Sequence, residues 1–322
     1  MARLALLTSG GDAPGMNACI RAVVRAAAFE GMEVVGIRRG FQGLVEGDAI
    51  PMTVRSVGNI IQQGGTCLGT SRYPDFHKPE YRRQAIDFLK HSEIDYLVNI
   101  GGDGTFRGSA AMVEQGWEKV VGVPASIDND VWGSDYTIGF DTAVNTALDA
   151  IDKIRDTAES HERLFFVEVM GRDAGFIALE AGIAGGATDI LVPEIPQDID
   201  GLCKELTRGF RAGRRSSIIV VAEGETPGGA YEIAKKVKEC SGMDSRICVL
   251  GHIQRGGTPT ARDRVLASKL GVAAVDALVN GQYGVAIGER KCDTTYTPFR
   301  ETFEKKKNLE QDLIRALRVL SK

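Results

Sequence analysis

The chain has 322 residues, of which 43% are hydrophobic and 25% charged, and its formal net charge is −4. This composition is typical of a soluble globular protein of about two domains, and it excludes a general electrostatic attraction to nucleic acid. The first seven residues give way to a polar, glycine-rich turn too early for a signal peptide, and no apolar run could span a bilayer. We therefore expect a cytoplasmic protein that binds neither nucleic acid nor membrane.

Short apolar runs alternate with helical patterns along most of the chain. Each run ends in a glycine-rich or polar turn, and the runs are RLALL, MEVVGI, DYLVNI, KVVGV, RLFFVEV, DILV, SSIIVVA and RICVL. Strands that alternate with helices predict parallel sheets with helices on both faces. Ligands of such sheets bind beyond the carboxyl ends of the strands, so the residues after each run are the candidate site residues.

A long helix is predicted within 142–158, where Val144, Leu148, Ile151 and Ile154 have helical spacing. We expect a domain boundary just before it, near 134–139.

The six cysteines are scattered without a Cys-x-x-Cys pair. This spacing argues against a zinc site or a disulfide framework and suits a reducing compartment. We therefore expect unpaired thiols at Cys19, Cys67, Cys203, Cys240, Cys248 and Cys292.

The first candidate loop is Ser9-Gly10-Gly11-Asp12, which joins a predicted strand to a helix with Pro14 near its start. Adjacent glycines let backbone N–H groups approach an anion, and the helix N-terminus adds a favourable dipole. A tight turn without a ligand explains the same residues. No Walker lysine follows, so the loop is not a P-loop.

The second loop places Asp103 between glycines at the end of another strand. A carboxylate there can hold a magnesium ion that bridges phosphates, which indicates phosphoryl transfer from a nucleotide without naming the acceptor. An Asx-turn without a ligand is the alternative.

The third loop, PASIDND at 124–130, follows the run KVVGV. Because Pro124 directs the chain outward, we expect Asp128 in the crevice near Asp103 rather than in the core. Phosphoryl transfer to an alcohol needs a second carboxylate to accept the hydroxyl proton, and Asp128 is the candidate. A helix cap or a turn network is the alternative for Asp128, Asn129 and Asp130.

Five blocks become specific when they are taken together: LTSGGDAPGMNA at 7–18, GGDG at 101–104, PxxIDND at 124–130, SHERxxxVEVMGR at 160–172 and VLGHIQRGG at 249–257. In this order and spacing they closely resemble the bacterial ATP-dependent 6-phosphofructokinases, over nearly the whole chain. The resemblance implies an α/β fold of two three-layer, Rossmann-like domains with mainly parallel sheets, an active site in the cleft between them, and a homotetramer. It implies a larger ATP-binding domain at 1–138 plus about 253–305, and a smaller fructose 6-phosphate-binding domain at 139–252 plus about 306–322.

By resemblance, the chain phosphorylates the 1-hydroxyl of fructose 6-phosphate with ATP and Mg²⁺, the committed step of glycolysis. The implied ATP site consists of Gly11, Arg72, Tyr73, Gly102, Asp103, Gly104 and Thr105, with Asp103 as the metal ligand. The implied substrate residues are Ser126, Ile127, Asp128, Arg163, Met170, Gly171, Arg172, Glu223, Arg246, His252, Ile253, Gln254 and Arg255. The implied catalytic residues are Asp128, Arg72, Arg172 and Gly11, and Arg163 and Arg246 are expected to act from a neighbouring subunit.

Three other functions are weighed against this one. Relatives that use pyrophosphate carry an aspartate at position 104 and a lysine at 125, whereas this chain has Gly104 and Ala125, which favours ATP. An NAD or lipid kinase shares GGDGTF but does not explain the IDND and GHIQRGG blocks. A binding subunit without activity is disfavoured because Asp103 and Asp128 are both retained.

The resemblance also implies an allosteric site for ADP or phosphoenolpyruvate that contains Arg21, Arg25, Arg155, Gly186, Arg214 and Arg215. Thr188 stands where the family usually has glutamate, Ala212 where it usually has a basic residue, and Arg55 is one position away from the expected arginine. We therefore expect weak control by these effectors. Steady-state kinetics tests this, and sigmoidal fructose 6-phosphate saturation that ADP strongly reverses would contradict it.

Overall fold

The computed structural model describes residues 1–224 and 228–320. Within them the strands are β1 (Arg3–Ser9), β2 (Glu33–Ile37), β3 (Ala49–Met52), β4 (Tyr96–Gly101), β5 (Val120–Pro124), β6 (Leu164–Val169), β7 (Asp189–Leu191), β8 (Ser217–Ala222), β9 (Ser245–Val249), β10 (Val285–Arg290) and β11 (Asp293–Pro298). The helices are α1 (Met16–Phe29), α2 (Gly40–Glu46), α3 (Pro79–His91), α4 (Asp103–Glu114), α5 (Phe140–His161), α6 (Phe176–Ala184), α7 (Ile199–Arg211), α8 (Gly229–Ser241), α9 (Ala261–Val279), α10 (Phe299–Glu304) and α11 (Gln311–Leu320). Short 3₁₀ helices lie at Pro74–His77 and Gly251–Arg255.

The chain divides into two compact units. Unit 1 contains Met1–Thr142 and Arg255–Lys307, and unit 2 contains Ala143–Gln254 and Asn308–Lys322. The chain therefore first passes from unit 1 to unit 2 inside α5. The division into an ATP-binding and a fructose 6-phosphate-binding domain, with its boundaries at 138, 252 and 305, stays a prediction. The last two residues of the smaller predicted domain, 321 and 322, lie outside the described residues.

Unit 1 is built on a seven-stranded sheet of order β11-β10-β5-β4-β1-β2-β3. The strands β1, β2, β4, β5 and β10 are parallel, whereas β3 and β11 pair antiparallel at the two edges. The predicted strands β1, β2, β4 and β5 are confirmed. β3, β10 and β11 were not predicted. β3 is short and contains a proline, and β11 is largely polar, so neither has the apolar run of a buried strand.

The helices of unit 1 cover this sheet through an apolar core. Phe106 of α4 and Phe299 of α10 are both buried, and their ring centroids lie 5.6 Å apart. The helix α1 buries Ile20, Val23, Val24 and Ala27 against the rest of unit 1. Burial of this kind, at about 25 cal/mol per Å² of apolar surface, is the main source of stability.

Unit 2 is built on a four-stranded parallel sheet of order β7-β8-β6-β9. All four strands were predicted. The predicted long helix is also confirmed as α5, in which Val144 and Ile151 are buried while Leu148 and Ile154 are half-buried. The mixed α/β class with mainly parallel sheets is therefore correct for both units.

The expectation of six unpaired thiols was wrong for one pair. Cys203 of α7 and Cys240 of α8 form a disulfide, with their Cα atoms 6.4 Å apart. The reason is tertiary: α7 and α8 pack against each other, so two cysteines 37 residues apart in the sequence become neighbours. Sequence spacing carried no sign of this contact. Among residues 1–224 and 228–320, no helix is both long and apolar enough to cross a membrane.

Candidate active site

Three loops of unit 1 follow adjacent strands of its sheet. Ser9 of β1 pairs with Gly101 of β4, and Gly101 pairs in turn with Pro124 of β5. From β1 the chain continues to β2 on one side, and from β4 it continues to β5 on the opposite side. The order in which strands are added to the parallel sheet therefore reverses between β1 and β4. This reversal is the position at which open parallel sheets bind ligands. The three candidate loops therefore lie around one binding position.

The first loop is held by a neighbouring segment rather than by the helix that follows it. The Gly10 N–H donates to the Ser71 carbonyl at 3.4 Å, and the Thr70 hydroxyl donates to the Gly10 carbonyl at 2.8 Å. These bonds fix the chain that leads into Arg72 and Tyr73 beside the end of β1. The implied nucleotide residues of the first loop and of position 72 are thus brought together.

Gly11 makes room for an arginine. A Cβ atom at this position would lie 2.5 Å from Nη1 of Arg255, which donates to the Asp12 carbonyl at 3.2 Å. Arg255 is only 8% exposed. The absence of a side chain at Gly11 therefore admits a buried guanidinium to the loop, in addition to any anion that the backbone binds.

The second loop places Asp103 in the first turn of α4, after Gly102 as N-cap. Oδ2 of Asp103 accepts from Nε of Arg107 at 3.0 Å. Oδ1 is buried, and no described residue donates a hydrogen bond to it. Thr105 is buried and donates to the Ser9 carbonyl at 3.1 Å, which ties this loop to the first one. Around Gly104, a Cβ atom would meet nothing within 4 Å among the described residues.

Asp128 was expected in a crevice, but the structure buries it more deeply: only 1% of the residue is exposed. The chain returns at Ile138, which accepts from the Ser126 N–H at 3.0 Å and donates to the Pro124 carbonyl at 3.0 Å. The Asp128 N–H donates to Oγ of Ser126 at 3.3 Å. A Cβ atom on Gly102 would lie 3.4 Å from Cβ of Ser126, so the second and third loops are in contact. Ile127, which lies between Ser126 and Asp128 in the third loop, is fully buried.

Asn129 has a structural role that the sequence left open. Its Oδ1 accepts from the Thr137 N–H at 3.0 Å, and its Nδ2 donates to the Asp135 carbonyl at 3.2 Å. Its φ of 55° is left-handed, which asparagine tolerates better than most residues. Asn129 therefore holds the loop in shape around Asp128.

A cavity of about 580 Å³ opens beside the first two loops. Its wall includes the predicted Arg72, Tyr73, Gly104 and Thr105. The rings of Phe41 and Phe76, which also line it, stack with centroids 4.1 Å apart. Sequence motifs gave no sign of Phe41, Phe76, Arg82, Arg107 or Gly108 as lining residues, because they come from separate elements that only the fold brings together.

Unit 2 gathers a second set of predicted residues at the carboxyl ends of β6, β8 and β9. The Arg172 N–H donates to Oε1 of Glu223 at 2.9 Å, and the Met170 N–H donates to Oε1 of Gln254 at 2.9 Å. Gly171 and Arg172 both have positive φ, so this turn needs those bonds to hold its shape. His252 and Ile253 are exposed in the adjacent 3₁₀ helix.

Arg163 and Arg246 are not part of that group within one chain. Arg163 precedes β6, and Arg246 pairs with Phe165 near the start of the same strand. The six residues of β6 separate them from Met170 by roughly 20 Å at about 3.3 Å per residue. Both arginines are exposed.

The residues implied in regulation fall into separate groups. Arg21 and Arg25 lie on α1 of unit 1. In unit 2, Arg155 donates to the carbonyls of Gly185 and Gly186. The guanidinium of Arg214 packs on Gly209 of α7, and Nε of Arg215 lies 3.7 Å from Oε1 of Glu162. Arg155 is therefore already engaged in holding the Gly186 loop.

Glycine loops and carboxylates at the reversal of a parallel sheet, next to a cavity with an aromatic wall, define a nucleotide-binding type of α/β protein. Comparison with known families is more specific, because the phosphofructokinase model matches residues 3–278. The chain belongs to the phosphofructokinase family, which confirms the resemblance seen in its sequence.

Relatives match over the full length. The chain is 56% identical over 321 residues to a Thermus thermophilus protein named ATP-dependent 6-phosphofructokinase 1, with 100% of both chains covered. It is 53% identical over 321 residues to the ATP-dependent 6-phosphofructokinase of Lysinibacillus sphaericus, again with 100% of both covered. Among solved structures, Pichia pastoris phosphofructokinase in the T-state matches with a TM-score of 0.90 at 35% identity, over 99% of this chain and 37% of that one.

Gly11→Ala tests the contact between Gly11 and Arg255. The new methyl group displaces the flexible end of Arg255, so we expect the free energy of unfolding to change by less than about 1 kcal/mol. Because the resemblance assigns Arg255 to the sugar phosphate, kcat/KM for fructose 6-phosphate should fall about ten- to hundredfold, as for the loss of one charge-assisted hydrogen bond. Arg255→Met should show the same loss, and the double variant should lose no more than either single one. Additive losses in steady-state kinetics would contradict the contact.

Proposed function

We propose that this chain transfers the γ-phosphoryl group of ATP to the 1-hydroxyl of D-fructose 6-phosphate and forms fructose 1,6-bisphosphate, the committed step of glycolysis. One observation carries the proposal: Asp103 and Asp128 follow adjacent strands at the reversal of the unit 1 sheet, in a chain 56% identical to an enzyme named for this activity. Phosphoryl transfer to an alcohol needs two such carboxylates, one for the metal and one for the hydroxyl proton.

The nucleotide is proposed to occupy the cavity of about 580 Å³ in unit 1. The stacked rings of Phe41 and Phe76 offer an apolar wall for a base. The backbone of the first loop and the N-terminus of α4 offer N–H donors to phosphates, and Arg72 adds a positive charge. The open space at Gly104 supports ATP as donor, because an aspartate there would put a negative charge beside the phosphates. The small, buried Ala125 is compatible with ATP as well.

A magnesium ion fits the residues around Asp103. Oδ1 of Asp103 is buried and accepts no hydrogen bond from any described residue, so it lacks a partner that a cation would supply. Among residues 1–224 and 228–320, no group of three His, Cys, Asp or Glu side chains could hold a metal by itself. This suits Mg²⁺, which often takes one or two carboxylate ligands and completes its shell with water and substrate phosphates. When bound, the ion would neutralise charge on the phosphates.

Asp128 is proposed to accept the proton of the 1-hydroxyl while that oxygen attacks the γ-phosphorus in line. Its burial and the loop held by Asn129 keep the carboxylate fixed, which general-base catalysis requires. Arg72 and Arg172 are proposed to stabilise the charge on the transferring phosphoryl group. In comparable phosphotransferases an arginine in this role accelerates the reaction roughly 10³-fold or more.

The sugar phosphate is proposed to bind to the turn at Met170–Arg172, to Glu223 and to the 3₁₀ helix that carries His252. The hydrogen bonds of Glu223 and Gln254 to this turn support a preformed shape. The position of Arg163 and Arg246 at the other end of β6 supports their proposed action on a neighbouring subunit, which would make the homotetramer a condition of full activity. Cytoplasmic location and allosteric control likewise remain proposals.

Asp128→Asn tests the assignment of the base. The amide keeps the size of the side chain but cannot accept the proton, so we expect kcat to fall at least about 10²-fold. Binding of ATP and fructose 6-phosphate, measured by calorimetry, should stay close to that of the unchanged protein. The melting temperature serves as the control for folding. Turnover at the original rate would leave Asp128 with a structural role only.

A further inference from the structure

We propose that Arg107 is a positioning residue that makes divalent metal binding at Asp103 depend on the nucleotide. In the free protein it would orient the carboxylate and offset its charge, so that a lone cation binds weakly. The inference rests on the proposed function of Asp103 as the metal ligand.

The two oxygens of the Asp103 carboxylate have different surroundings. Oδ2 accepts from Nε of Arg107, one helical turn along α4, at 3.0 Å. Oδ1 is buried, and none of the described residues donates to it. One oxygen is thus bound to Arg107, while the other lacks a hydrogen-bond donor among the described residues.

Arg107 is itself held in place from a second side. Its guanidinium carbon lies 4.3 Å from the ring centroid of Phe303 in α10. Phe303 in turn packs against the apolar core of unit 1. A planar cation between an aromatic face and a carboxylate has little freedom to turn away. Arg107 also lines the cavity of about 580 Å³ proposed for the nucleotide.

The charges then favour metal with nucleotide over metal alone. A free divalent cation at Oδ1 is attracted by Asp103 and repelled by the more distant Arg107 on the other oxygen, so the arginine offsets part of the attraction. The phosphates of a nucleotide carry several negative charges, and both the cation and Arg107 attract them. Arg107 therefore opposes the lone ion and favours its complex with the nucleotide.

The test measures Mn²⁺ alone, without nucleotide, by electron paramagnetic resonance on the full-length protein. Arg107→Met keeps an unbranched apolar stem at this position but removes the guanidinium, with its charge and its contact with Phe303. We expect the Kd for free Mn²⁺ to fall roughly three- to tenfold, an effect that shrinks at high salt because the side chain of Arg107 is 55% exposed. The KM for Mg·ATP should rise in the same variant.

Two further variants separate charge from position. Arg300→Met is the matched control, because Arg300 lies on α10 and pairs with Glu114 of α4 at 2.5 Å outside the cavity lining. It should leave Mn²⁺ binding and the KM for Mg·ATP unchanged. Arg107→Lys retains a charge but loses the planar donor, so it should keep free Mn²⁺ binding weak while the KM for Mg·ATP rises.

Failure of this inference and failure of the proposed function give different results. If Arg107→Met and Arg300→Met bind Mn²⁺ as the unchanged protein does, while Asp103→Asn abolishes Mn²⁺ binding in the presence of ATP, the role of Arg107 is overturned and Asp103 keeps its assignment. If Asp103→Asn changes no metal or nucleotide binding, the assignment of Asp103 fails and the inference fails with it.

Discussion

The register of three parallel strands, β1, β4 and β5, is the constraint on which the rest of the site depends. Ser9, Gly101 and Pro124 lie side by side across the sheet, so the loops that follow them share one edge. A Cβ atom on Gly101 would lie 2.5 Å from the Ser9 carbonyl oxygen, so the close approach of β1 and β4 needs glycine here. A shift of register would separate Asp103 from Asp128 and from the first loop at once.

A chain of net charge −4 needs local positive charge to bind anionic substrates, and arginines beside the candidate loops supply it. The two loops of unit 1 that are proposed to face phosphate each have an arginine beside them, Arg255 at Gly11 and Arg107 at Asp103. A third arginine, Arg72, lies in the cavity wall. Local cations attract phosphates at short range even where the net charge of the whole chain is negative. Arg107 and Arg255 are also hydrogen-bonded to the protein, so they add orientation to charge.

The elements that can be predicted from sequence are those whose own residues fix them. Buried parallel strands such as β4 and β8 are continuous apolar runs, and the Asp103 loop is marked by its glycines. The role of Asn129, the space that Gly11 leaves for Arg255 and the stacking of Phe41 on Phe76 depend on residues distant in the chain. The pairing of Cys203 with Cys240 depends on helix packing in the same way. Periodicity carries no information about such contacts, so they became visible only in the structure.

The most direct test of the central claim is the formation of fructose 1,6-bisphosphate by the purified protein from fructose 6-phosphate and magnesium, with ATP and pyrophosphate compared as donors. The open space at Gly104 and the two retained carboxylates predict rapid turnover with ATP and little with pyrophosphate. Preferred turnover with pyrophosphate would contradict the assignment of the donor. Binding of fructose 6-phosphate without turnover from either donor would contradict the assignment as an enzyme and favour a binding subunit.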